Sequence, residues 1–280
     1  VTNFVRDDRK PETTAAMAQS IKFTSKIRLR DFNPAYHEGL DKDKTREKTE
    51  KLCLRIGELQ HLLYANHSHS LVLVFQGMDT SGKDGAGRRV LQFVTPAGVE
   101  TANFKTPSSE ELAHDFLWRI HKAAPRYGNI GVFNRSHYED VLVVRVLNLQ
   151  PKKIWEARYG QINAFEKILA ENRVILLKFF LHISKQEQAE RLKARLEDPA
   201  KNWKLELNDV KMRAHWQEFQ AAYEDAINRC STPWAPWHIV PADHKWYRDY
   251  VVARTVANAL EKLKMKWPKP KLDLSKIKIN

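Results

Sequence analysis

Two hydrophobic periods alternate along the chain. Short apolar or β-branched runs predict strands at Leu71–Phe75, Val99–Phe104, Asn129–Asn134 and Arg173–Ile183, with a last one opening at Trp237 and leaving through Asp243. Between them, helical spacing predicts Asp41–Ala65, with Leu52, Ile56, Leu59, Leu62 and Leu63 on one stripe, and Lys152–Asn172, with Ile154, Ile162, Phe165 and Ile168 apolar. Further helices are expected from Lys83 to Val94, from a cap at Ser108 or Ser109 to Ala124, over Val141–Val146, over Asn208–Arg229 and over Tyr247–Lys264. Ser184 followed by Glu187 reads as a capping box for a helix over Lys185–Leu196. Strand alternating with helix predicts an α/β fold, a parallel sheet covered on both faces.

The first strand runs into Gly77-Met-Asp79-Thr-Ser81-Gly82-Lys83-Asp84-Gly85-Ala-Gly-Arg88. Gly77-x-x-x-x-Gly82-Lys83 is the spacing of a phosphate-binding loop. Its glycines let successive N–H groups point at phosphate oxygens, the following helix adds its positive end, and Lys83 adds a point charge. The residue after the lysine is usually Ser or Thr; here it is Asp84, with Asp79 also in the loop. Two carboxylates beside a phosphate repel it unless a hard cation such as Mg²⁺ lies between them. The bland alternative is a glycine-rich turn that happens to match. A second edge is expected where the third strand ends in Asn134-Arg135-Ser136, followed by Glu139 and Asp140, because α/β folds bind ligands at strand C-termini.

Charge narrows the class of partner. Against 34 acidic residues stand 47 Lys and Arg, a net +13 that implies a polyanion: nucleic acid, acidic lipid or a charged substrate. Arg191, Lys193 and Arg195, then a break at Asp198-Pro199, suggest a basic lid over about 185–212, or else a solvated basic helix. Arg119 faces either solvent or a phosphate, and the basic stretch Phe23–Tyr36 is either a cover for the cleft or a solvated leader. Residues 1–20 read as a mobile arm, 21–265 as one domain and 266–280 as a basic tail. Cys53 and Cys230 form no motif, and no apolar run approaches the roughly 18 residues that span a bilayer. The polar N-terminus shows no signal peptide, so a cytoplasmic protein without a membrane partner is expected.

Three stretches together resemble the polyphosphate kinase type 2 family: Gly77–Gly85, Phe133-Asn-Arg-Ser-His-Tyr-Glu-Asp-Val141 and Asp198-Pro-Ala-Lys-Asn-Trp-Lys204. The resemblance covers about residues 20–265. It implies a thymidylate-kinase-like α/β/α sandwich with a helical lid, and reversible phosphoryl transfer between inorganic polyphosphate and a nucleotide with Mg²⁺, or Mn²⁺ in its place. The run Tyr138–Val143 is similar to the subclass that accepts both AMP and ADP. The implied roles are Asp79, Lys83 and Arg135 in catalysis, and Gly77, Ser81, Gly82, Lys83, Asp84, Gly85, Arg88, Arg191, Arg195, Lys201 and Lys204 on the phosphates. Lys105, Arg119, Asn134 and Glu139 fall on the side of the nucleotide, adenine or else guanine, and Asp79 is the first metal ligand, with Glu139 and Asp140 behind it. The family also implies a homo-oligomer, dimer or tetramer. The rivals are an ATP-dependent nucleoside or nucleotide kinase and, from another class, a nucleic-acid-binding protein. No nucleic-acid motif is present, so no nucleic acid is expected as a partner.

Overall fold

The structure, a computed structural model, describes residues 26–204, 207–270, 272–273 and 277; the arm at 1–20 and the start of the basic leader lie outside the described residues. Five parallel strands make one sheet: β1 (Ser70–Gln76), β2 (Val99–Asn103), β3 (Ile130–Asn134), β4 (Val174–His182) and β5 (Trp237–Pro241), in the order β2-β3-β1-β4-β5. Register aligns Leu71 with Ile130 on one side and with Ile175 on the other. The helices are α1 (Lys42–Asn66), α2 (Lys83–Val90), α3 (Ser109–Leu112), α4 (Trp118–Lys122), α5 (Val143–Val146), α6 (Lys152–Glu171), α7 (Lys185–Glu197), α8 (Leu207–Ala214), α9 (Trp216–Cys230) and α10 (Lys245–Glu261).

Alternation along β1 divides the core. Leu71, Leu73 and Phe75 pack with Ile56, Leu59 and Leu63 of α1 and with Val251, Val252 and Val256 of α10. Val72 and Val74 face the other way, toward Ile120 of α4 and Phe165 and Leu169 of α6. The strand therefore has an apolar residue at every position from Leu71 to Phe75 because both faces are covered, and each such side chain contributes about 1.5–3 kcal/mol of burial. The chain leaves β1 for the β2 edge, returns to β3 beside β1, then crosses to β4 on the other side. That reversal opens a crevice at the C-terminal ends of β1 and β3.

Three helix expectations change. The helix expected up to Ala124 is two short ones, because Asp115 Oδ1 accepts the Leu117 N–H at 2.9 Å and closes a local turn between α3 and α4. The helix expected over Asn208–Arg229 breaks at His215 into α8 and α9. At α7 the Ser184 hydroxyl accepts the Glu187 N–H, but the Glu187 carboxylate pairs with Arg191 and the Ser184 N–H donates to Asp243, so the capping box is half made. A complete box forms instead at Ser108 and Glu111. Two apolar positions of α6, Ile154 and Ile168, are exposed.

Candidate active site

The loop between β1 and α2 is shaped by residues that tolerate positive φ. Gly77 sits at φ 152° and Gly82 at φ 96°. A Cβ at Gly77 would lie 2.7 Å from the Leu181 carbonyl oxygen, and one at Gly82 would meet Arg248 Nη1 at 1.9 Å. Gly82 is also the N-cap of α2 and brings no capping side chain. The first N–H groups of α2, those of Lys83, Asp84 and Gly85, thus have no acceptor within the helix and stand ready for an anion. Lys83 Nζ folds back on the loop, donating to the carbonyls of Gly77 at 2.8 Å and Met78 at 3.3 Å. Burial pulls the Lys83 ammonium below its usual value, opposed by the carboxylates of Asp79, Glu139 and Asp84.

The turn after β3 faces this loop. Arg135, in the left-handed region at φ 62°, places Nη2 3.3 Å from Asp79 and Nη1 3.6 Å from Glu139. Asn134 donates from its amide to Asp84. Burial pushes Glu139 above the usual carboxylate range, with Arg135 and Lys83 pulling against it. Arg135 therefore links Asp79 to Glu139, 60 positions away, and Asn134 beside it reaches Asp84, so the turn after β3 meets the loop on both sides of Lys83.

On the other side of α2 lies a cavity of about 620 Å³ lined by Arg88, Arg89, Arg191, Arg195, Lys201, Lys245 and Arg248, with Asp249 as its one acid. Repulsion and burial together pull Lys245 below its usual value, burial first and then Arg191 and Arg248. Arg89, Lys245 and Arg248 had no motif to reveal them. The sequence signal for the last two was positional: both fall in the first turn of the helix after the last strand, at the strand-C-terminal edge.

Several expected roles change. Arg191 is no lid cation. Its guanidinium donates to the carbonyls of Thr80, Ser81, Ala242 and Asp243 at 2.6–3.2 Å and to Glu187, so it clamps the back of the loop. Asp140 is no partner of Asp79. Its carboxylate bonds Arg158 at 2.9 Å and lies 3.7 Å from Arg119, which neutralises it away from the loop. Arg119, 7% exposed, donates to the Lys105 carbonyl and pairs with Glu111 and Asp140, so it ties the β2–α4 connection instead of facing solvent or ligand. Lys105 contributes that carbonyl from an exposed position. Lys201 is exposed at the cavity and pairs with Asp198; the side chain of Lys204 lies outside the described residues. The 26–36 segment lies on α9 and the end of β4, through Ile27 to Asn228, Leu29 to Glu224 and His182 to Phe32.

Among the described residues, no three His, Cys, Asp or Glu side chains group closely enough to hold a metal alone. That suits Mg²⁺, which binds through one or two carboxylates and completes its shell with substrate phosphates and water. No described helix is long and apolar enough to cross a membrane.

A central strand ending in a glycine loop that opens onto a helix N-terminus, with a lysine inside and arginines around, defines the phosphate-loop kinase class. Residues 39–268 match the polyphosphate kinase 2 (PPK2) family, and the chain belongs to it. It is similar to the AMP/ADP-polyphosphate phosphotransferase of Meiothermus ruber, 45% identical over 258 residues, which are 91% of this chain and 96% of that protein. The ADP-polyphosphate phosphotransferase of Rhodopseudomonas palustris is 43% identical over 76% of this chain and 78% of its own. Among solved structures, polyphosphate kinase 2 from Arthrobacter aurescens TC1 superposes with a TM-score of 0.87 at 40% identity, covering 90% of this chain and 91% of that one.

Proposed function

We propose that this chain transfers phosphoryl groups reversibly between inorganic polyphosphate and adenine nucleotides, AMP to ADP and ADP to ATP. One observation carries the reading: the open N–H groups of α2 stand between a cavity lined by cations and a cluster of Asp79, Arg135 and Glu139. Polyphosphate carries about one charge per phosphate, so a channel for it needs a row of cations with few acids. The basic cavity supplies that row, with Arg88, Arg195 and Lys201 at its exposed or half-buried rim.

The chemistry asks for alignment and charge, not for a covalent partner. The N–H groups of Lys83, Asp84 and Gly85 hold the oxygens of the phosphate at the transfer point. Lys83 Nζ exchanges the carbonyls of Gly77 and Met78 for phosphate oxygens. Arg135 exchanges Asp79 for the moving group. A terminal phosphate oxygen of the acceptor forms the new P–O bond, and the bridging P–O bond of the donor breaks, leaving a chain shorter by one unit. The acceptor oxygen is already ionised, so no side chain need take a proton. Asp79, with Asp84, would hold Mg²⁺ together with the substrates' phosphates; the ion, when bound, neutralises charge between donor and acceptor. The end of α7 beyond Arg191, together with α8, acts as the lid. Glu139, at the acceptor side, is the residue assigned to use of AMP as well as ADP. Assembly as a dimer or tetramer and a cytoplasmic setting belong to the same reading; light scattering and cell fractionation check them.

The test is ATP formation from ADP and, separately, from AMP with long-chain polyphosphate and Mg²⁺. Product from both is expected. Product from ADP alone would remove AMP from the proposal. No product with polyphosphate, but transfer from ATP to a nucleoside or nucleotide, would replace the donor.

A further inference from the structure

The turn after β3 has two faces. Arg135 and Glu139 meet the loop, but His137 and Tyr138 point into the sheet's second layer, 1% and 0% exposed. There they meet a charge pair removed from water. Glu166 of α6 and Lys178 of β4 are both fully buried and 2.6 Å apart. Glu166 Oε1 accepts the Tyr138 hydroxyl at 2.9 Å and faces His137 Nε2 at 3.1 Å. Lys178 Nζ donates also to Tyr138 Oη at 2.8 Å and to the Cys230 carbonyl at 2.7 Å, which uses its three donors. Trp237 closes the group, with its ring edge-on to Tyr138 at 4.7 Å.

Fold stability alone does not call for this arrangement. Two ions taken from water into a sheet centre lose more hydration than their attraction returns in many proteins, and apolar residues of similar volume serve as well. What the arrangement does touch is the backbone of the turn. Arg135 holds a positive φ with a full side chain, a conformation that persists only where its surroundings over-determine it. Ser136 Oγ accepts from Gln76 of β1 at 3.1 Å and from the Tyr138 N–H at 3.2 Å. The next two residues are held by Glu166 and Lys178.

We propose that Glu166 and Lys178, acting through Tyr138 and His137, are positioning residues for phosphoryl transfer: they anchor the strained turn so that Arg135 and Glu139 face the phosphate loop. Neither charge touches the site. The proposal rests on the reading of Arg135 as the cation at the moving phosphoryl group.

The test separates anchoring from stability. Glu166→Leu with Lys178→Met removes both charges together and strands neither. The double variant leaves the Cys230 carbonyl and the Tyr138 hydroxyl without these partners, so it is expected to fold with a lowered melting temperature, with kcat at saturating substrates reduced about tenfold or more and KM for the nucleotide changed far less. Tyr138→Phe keeps the ring and removes the shared hydroxyl. Its loss in kcat, expected at about threefold to tenfold, should shrink in an Arg135→Ala background, because Tyr138 acts in large part through that residue. A folded double variant with wild-type kcat would overturn the proposal. So would a Tyr138→Phe loss of the same size with and without Arg135, and that cycle decides alone should the double variant not fold. Each rate is a ratio to wild type with one donor. A wild type inactive with polyphosphate would sink the functional reading, yet leave the ratios measurable with ATP.

Discussion

The two flanks of α2 have opposite charge logic. On one, each acid meets a donor at contact distance: Asp79 and Glu139 the guanidinium of Arg135, and Asp84 the neutral amide of Asn134. On the other, seven cationic side chains line a cavity with one carboxylate among them. With Lys83 the self-paired cluster sets three carboxylates against two cations, so it is slightly acidic before ligand arrives and can exchange its internal partners for a metal and a moving phosphate. A cavity lined by seven cations and one acid keeps an excess of positive charge even where single members such as Arg191, Lys201 and Arg248 have partners, and that excess draws a polyanion in. On the proposed reading the first flank does the chemistry and the second the binding, and substitutions should divide accordingly.

The sharpest division is expected at the loop. Lys83→Ala and Asp79→Ala should each lower kcat by about 100-fold or more while leaving the melting temperature nearly unchanged. A variant that keeps more than about a tenth of the rate, within roughly 1.4 kcal/mol of wild type, would contradict its assigned role. Next comes a contrast within the cationic flank. Arg191→Ala strands four carbonyls and the Glu187 carboxylate, and should cost about 3–5 kcal/mol in urea unfolding. Lys201→Ala, which breaks only an exposed ion pair with Asp198, should cost no more than about 1 kcal/mol. If both unfold alike, the clamp is not real.

Smaller effects follow at the rim. Arg88→Ala, Arg195→Ala and Lys201→Ala should each raise KM for long-chain polyphosphate about fivefold at low salt, roughly 1 kcal/mol, with little change in kcat. Each should also flatten the dependence of log KM on log salt by about one unit of slope. A fall in kcat with KM unmoved would transfer that residue to the chemical flank. The smallest effect is a pH dependence beneath the turn. Burial works to raise Glu166, but Lys178 and His137 outweigh it and hold the carboxyl below its usual range. A depressed acid stabilises the fold fully above its unfolded value, about 4.3, and the gain is lost as pH falls through the lower folded value. Wild-type melting temperature should therefore drop below about pH 4.3 more steeply than that of the apolar Glu166→Leu/Lys178→Met variant. Parallel curves would show that the pair titrates alike in both states.

Much of this was legible in the chain. The strand and loop at Leu71–Lys83 could be read directly, because glycine spacing and a buried-strand run are local signals. So could the five strands and the parallel sheet they form. The break at 113–117 was not, since a side chain accepting a nearby N–H can stop a helix inside an unbroken helical pattern, and neither was the break at His215, where no side-chain hydrogen bond caps α9. The basic cavity was half legible. Arg88, Arg195 and Lys201 come from segments near the motifs, whereas Lys245 and Arg248 reach it from a helix about 160 positions beyond the loop.

By itself the sequence determined the order of strands and helices, the phosphate loop and the presence of a polyanion partner, because each depends on neighbours within a few residues or on summed charge. Only the tertiary structure decided what each of two like residues meets. Glu139 and Asp140 are adjacent, but a turn of 3-10 helix rotates successive side chains by about 120°, so one meets Arg135 and the other Arg158. Arg191 and Arg195 share a face of α7, but one turn of about 6 Å along the axis separates a clamp behind the loop from a cation at the cavity rim.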